Sequence, residues 1–106
     1  MSIPGALPAG WEILDRARNR VFNDEIAREA PEGHQLFGEP FRSVAKAIGS
    51  DDVIIESPKA EGKWAIVRLT YQVESDPNWP RVRRFAAWED LVEEAESMAS
   101  GWAAEE

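Results

Sequence analysis

The chain has 106 residues, 43% of them hydrophobic and 30% charged, with a net charge of −8 and no cysteine. That length suits one domain, the composition excludes wholesale disorder, and the missing cysteines exclude disulfides, thiolate nucleophiles and cysteine-based zinc sites. The charge is unevenly placed: residues 88–106 hold seven acids and no base, so the first 87 residues set 13 acids against all 12 bases.

Residues 1–10, with two prolines and two glycines, predict an irregular lead-in with neither a basic start nor a long apolar block. No stretch reaches the roughly 20 apolar residues that a bilayer span needs, so a cytoplasmic protein without a membrane segment is expected. Trp11 to Leu14 reads as a short anchor of undecided type. From Asp15 or Arg16 to Ala30 a helix is expected, with Asp15 as its cap, Ala17, Val21, Phe22, Ile26 and Ala30 as its apolar face, and Pro31-Glu32-Gly33 as its stop.

Residues 34–39 form a connector holding the single histidine, His34. After Pro40, the residues Phe41, Val44, Ala45 and Ile48 fall at i, i+3, i+4 and i+7, and Gly49 stands where a left-handed cap would. This spacing predicts a short helix over 41–48, with a strand as the competing reading. Val53 to Glu56 is β-branched enough for a strand, and residues 57–62 make a polar connection.

The next strand is expected over about 63–73, with Ala65, Val67, Leu69, Tyr71 and Val73 on one face and Trp64, Ile66, Arg68 and Thr70 on the other. Bulk on both faces places it inside the sheet. Residues 74–80 form a loop bracketed by Pro77 and Pro80, and residues 81–86 return as a shorter strand. A final helix carries an apolar stripe of Trp88, Leu91, Val92, Ala95, Met98, Ala99 and Trp102, with acids on its remaining surface. Ser100-Gly101 is expected to end it, leaving residues 101–106 as a tail. The sum is a single α+β domain over residues 1–106: a small antiparallel sheet of about three strands packed against two or three helices.

No catalytic motif is recognisable. One histidine cannot form a histidine pair for a metal, no Gly-x-Ser-x-Gly elbow is present, and the seven glycines are scattered rather than gathered into a phosphate loop, so no metal and no cofactor is expected. Asp51 and Asp52 are adjacent, which points their side chains apart in an extended segment and favours a turn role. The acidic balance disfavours nucleic acid and suits a basic protein partner.

The residues expected to meet a partner are Trp79 in the proline-braced loop, Asp76, Arg81 and Arg83 around it, and Glu89, Asp90, Glu93 and Glu94 on the last helix. Trp79 is either a recognition anchor or a lid on the core. Two alternatives stand beside this reading. One is a small enzyme built around His34 and Arg68; the other is nucleic-acid contact through Arg81, Arg83, Arg84 and Trp79, against which those arginines could instead pair with the acidic helix.

The segments DDVIIE, WAIVRLTY, DPNWP and FAAWEDL, in that order, resemble a group of small, largely uncharacterised bacterial proteins over roughly residues 10–95. In that group the central strand more often reads Val-His-Leu-Thr-Trp, whereas Arg68 and Tyr71 stand at the corresponding positions here, so a role for that histidine does not transfer. A more general likeness is to the immunity proteins that neutralise secreted toxins. It implies an α+β fold and an inhibitory function, and no catalytic residue.

Overall fold

A computed structural model of the chain describes residues 4–57, 63–72, 75–76 and 79–105, with side chains through Ser97. Five strands, β1 (Trp11–Ile13), β2 (Arg42–Ala47), β3 (Asp52–Glu56), β4 (Trp64–Arg68) and β5 (Arg81–Phe85), form one antiparallel sheet whose spatial order follows the sequence. Two helices, α1 (Arg16–Glu29) and α2 (Trp88–Glu105), complete the α+β fold.

The sheet is covered on both sides. Beneath α2, Trp11, Val44, Ala45, Ala47, Ile54, Trp64 and Ile66 pack with Trp88, Leu91 and Ala95. Beneath α1 and the 31–41 connector, Val53, Ile55, Ala65, Val67 and Leu69 pack with Ile26 and Leu36, and Phe22, Phe41 and Val82 close the margin. The alternation expected along β4 is therefore present, dividing its residues between the two layers. It is an interior strand, flanked by β3 and β5. Trp64 and Trp88 meet edge to face at 4.9 Å between ring centroids, an arrangement the ring quadrupoles favour.

α1 forms where its cap and stop predict. Asp15 accepts the Arg18 N–H at 2.8 Å, and Ala30 donates back to the Ile26 carbonyl at 3.0 Å before Pro31 ends the run. Its apolar face is narrower than expected: Ile26 is buried and Phe22 partly so, while Ala17 and Val21 face solvent. A polar pair supplies the rest of the docking. Ser43 lies past the end of β1, so its backbone lacks a strand partner on that side. Its N–H donates to Asn23 Oδ1 at 2.6 Å, and its carbonyl accepts from Asn19 Nδ2. Asn23 Nδ2 donates in turn to Asn19 Oδ1 at 3.0 Å.

Four expectations are corrected. The helix expected over 41–48 is the strand β2, paired on one side with β1 and on the other with β3. Both its faces are buried, and a register shift between Ser43 and Ala45 leaves Val44 as an extra residue, so its apolar residues do not alternate. Ile48, which the helical spacing would bury, is 70% exposed. The sheet accordingly has five strands rather than about three, since β1 and β2 join it.

β4 ends at Arg68, short of the expected 73: Leu69 still bonds to the Asp51 carbonyl at 2.9 Å, but the Thr70 and Tyr71 N–H groups then turn to Glu29 and Tyr71 takes φ 58. The last helix runs on through Ser100-Gly101 to Glu105. The expected connector from residue 58 to 62, the loop residues 73, 74, 77 and 78, and the side chains of Met98, Ala99 and Trp102 lie outside the described residues. Among the described residues, no helix is long and apolar enough to cross a membrane.

Candidate functional site

A groove of about 990 Å³ opens at the start of β5. Its floor follows from strand register: Asp52, Arg68 and Arg81 stand opposite one another across β3, β4 and β5, and Ile66 and Arg83 form the next row. Residues opposite one another on neighbouring strands project to the same side of the sheet, with Cβ atoms about 5 Å apart. Trp79 and Pro80 wall one end, joined by a cis peptide, and Gly33 to Gln35 wall another.

Asp52 is 1% exposed, and its charge is answered from two directions. Arg68 donates from Nε at 3.3 Å and from Nη2 at 3.1 Å, and Ser50 Oγ donates at 2.5 Å. A buried carboxylate held this way fixes the guanidinium beside it. Asp51 is exposed, so the two adjacent carboxylates diverge as their extended backbone requires.

Trp79 is half-buried, and its N–H donates to the Asp76 carbonyl at 3.0 Å. The Arg81 guanidinium lies over its ring, 4.8 Å from the centroid. Asp76 and Arg83 complete this side of the lining. The three arginines of β5 have separate fates. Arg83 pairs with Glu94 on α2, whereas Arg84 reaches the connector, donating to Gln35 Oε1 at 2.6 Å and to Glu39 Oε2 at 2.7 Å. Arg81 makes neither an ion pair nor a side-chain hydrogen bond among the described residues, only the ring contact.

Of the four α2 acids expected to contact a partner, Glu94 is therefore turned to Arg83. Glu89, Asp90 and Glu93 are exposed on α2, with no cation beside them among the described residues. Trp79, Asp76, Arg81 and Arg83 thus share one groove, and the Arg83–Glu94 pair links that groove to the acidic helix.

His34 and Arg68 line the same groove. The imidazole is 5% exposed and committed at both nitrogens: Nδ1 accepts the Leu36 N–H at 3.0 Å, so Nε2 carries the proton and donates to the Pro80 carbonyl at 2.6 Å. A ring bonded this way braces the connector against the start of β5 and has no free lone pair for proton abstraction.

The most displaced carboxyl lies outside the groove lining and was not legible from residue type. Glu29, fully buried at the end of α1, is pushed up to about 7, first by burial and then by a hydrogen bond with Glu25 one turn earlier, against the downward pull of the Thr70 and Tyr71 donors. Glu25 is held below the usual range, chiefly by that same bond with Glu29, with Arg28 adding to it against its own burial. Burial raises the Tyr71 phenol, reinforced by Asp51, Glu25 and Glu29. The chain matches no protein-family model, no curated protein and no solved structure.

Proposed function

We propose that this chain is a non-enzymatic protein-binding module, an immunity-type inhibitor whose acidic helix face meets a basic partner. One observation carries the reading. Glu89, Asp90 and Glu93 stand exposed and unneutralised on α2, while the arginines of the adjacent strand are engaged elsewhere: Arg83 with Glu94, Arg84 with Gln35 and Glu39, Arg81 with the Trp79 ring. Charge left over in this way accelerates encounter with a surface of opposite sign and selects among partners. The two engaged nitrogens of His34 weigh against an enzyme centred on it.

The test is binding of the purified chain to the basic products of genes flanking its own, at low and high salt. A triple reversal, Glu89→Lys with Asp90→Lys and Glu93→Lys, is expected to weaken binding by at least about tenfold, mainly through the association rate. Affinity indifferent both to salt and to this reversal would sink the reading.

A further inference from the structure

We propose that the Arg68–Arg81–Trp79 end of the groove is a binding site for a compact oxyanion, a carboxylate or a phosphate. This site is separate from the α2 docking face and uses none of its acids.

One row of the sheet carries a charge imbalance. Arg68 and Arg81 stand directly opposite on β4 and β5, and like charges so placed repel. Asp52, on the other side of Arg68, neutralises only one of them. Its oxygens already accept two N–H groups of Arg68 and the Ser50 hydroxyl. In the next row Arg83 has its own carboxylate in Glu94. The row thus ends in one uncompensated guanidinium, that of Arg81.

That guanidinium is oriented without being consumed. Its carbon lies over the Trp79 ring, 4.8 Å from the centroid. No acceptor among the described residues takes any of its five N–H donors, and the ring contact restricts where the group can move. Arg68 is also half-exposed beside it, with donors beyond those given to Asp52. Two adjacent guanidiniums, one fixed by a carboxylate and the other by an indole, converge on a cavity far larger than an acetate or phosphate ion. An oxyanion there relieves the repulsion and fills the unspent donors.

Size is limited by the remaining charge. At −8 the chain as a whole repels a long polyanion, and the acids of α2 begin one row away at Glu94. A ligand with a single carboxylate or phosphate group avoids that cost, whereas a nucleic-acid strand does not.

Sodium acetate and sodium phosphate, each against sodium chloride at equal ionic strength, would be titrated into the labelled chain, following the arginine Nε–H and tryptophan indole resonances. Saturable shifts at Arg81 and Trp79 are expected, on the order of millimolar in free anion. Acetate and phosphate are read separately, which identifies the preferred source. Arg81→Gln should weaken the response by at least about fivefold and Arg81→Lys by less, because lysine keeps the charge and loses the planar fork. Arg16→Gln, which removes an exposed guanidinium at the start of α1, should change nothing. Shifts no larger than those with chloride, or a response surviving Arg81→Gln in a chain whose backbone spectrum is intact, would overturn the proposal. So would a single-stranded oligonucleotide that saturates the same resonances far below either small anion. Loss of partner binding on reversing the α2 acids, with these shifts retained, would separate this site from the docking face.

Discussion

The carboxylate of Glu29 accepts the backbone N–H of Tyr71 at 2.9 Å, tying the end of α1 to the turn after β4. The other oxygen accepts the Thr70 N–H at 2.8 Å and its hydroxyl at 3.1 Å. These donors hold a turn in which Tyr71 takes φ 58, a conformation that costs a side-chain-bearing residue energy. Glu29→Gln replaces one accepting oxygen with an amide donor and leaves a backbone N–H unpaired. Chemical denaturation is expected to show a loss of about 1–3 kcal/mol.

The same residue gives stability a pH dependence. Glu29 titrates near 7 in the folded chain against 4.5 for a free carboxyl. Between these values the folded chain keeps a proton that the unfolded chain has released. Stability therefore falls as pH rises from about 4.5 to about 7 and levels off above, by roughly 1–3 kcal/mol once coupling to Glu25 is allowed for. Glu25, held low, acts in the opposite sense in a more acid window: its contribution is present above the unfolded value and lost as pH falls through the folded one. Denaturation midpoints at pH 5 and pH 8 should differ in the native chain and nearly coincide in Glu29→Gln.

His34→Ala removes the acceptor for the Leu36 N–H and the donor to the Pro80 carbonyl, both in a buried setting. The expected loss is about 2–4 kcal/mol, with the largest amide chemical-shift changes in residues 33–39 and at Arg81 and Val82. A stability change below 0.5 kcal/mol, taken as about the limit for an ordinary surface position, would contradict a bracing role.

Ser43 shows the reverse case. Its hydroxyl oxygen is buried with no hydrogen-bond partner among the described residues, although its backbone is fully used by Asn19 and Asn23. Ser43→Ala should be neutral or stabilising by up to about 1 kcal/mol, while Asn23→Ala should cost about 1–2 kcal/mol by stranding the Ser43 N–H. Thermal unfolding of the two variants checks the contrast.

Ile54 sits on the middle strand of the five and is wholly inaccessible to solvent. Ile54→Ala leaves a void between β3 and α2 and is expected to cost about 2–5 kcal/mol, read as a lower denaturant midpoint at unchanged slope.

The two helices were legible because their signals are local: Asp15 bonds three residues ahead, and the Trp88, Leu91, Val92, Ala95 stripe repeats within one element. β2 was misread because Phe41, Val44, Ala45 and Ile48 match helical spacing by coincidence, and the bulge at Val44 erases the alternation that would mark a strand. β1 has only three residues, too few to show a period. The groove was legible in part for the same reason of locality. Trp79, Arg81 and Arg83 are near neighbours in sequence, whereas the Asp52–Arg68 pair depends on strand register, and the Glu29 latch joins residues 41 and 42 positions apart. Residue type alone carries no such distance.

The lead-in has a consequence for how the chain assembles. From β2 to β5 each strand pairs with its successor, so that part of the sheet can grow by consecutive hairpins, while β1 joins only across α1 and the 31–41 connector. Trp88 is different: its indole donates to the Ala6 carbonyl at 3.1 Å across 82 positions, with Leu7 against the same cluster and little room for a Cβ at Gly5, which would sit 3.1 Å from the indole. That clasp closes nearly the whole chain and has almost no partial form. Loop entropy places it among the late contacts in folding and the early ones to release, which makes the seating of α2 answer to residues 5–7 as much as to the sheet beneath it.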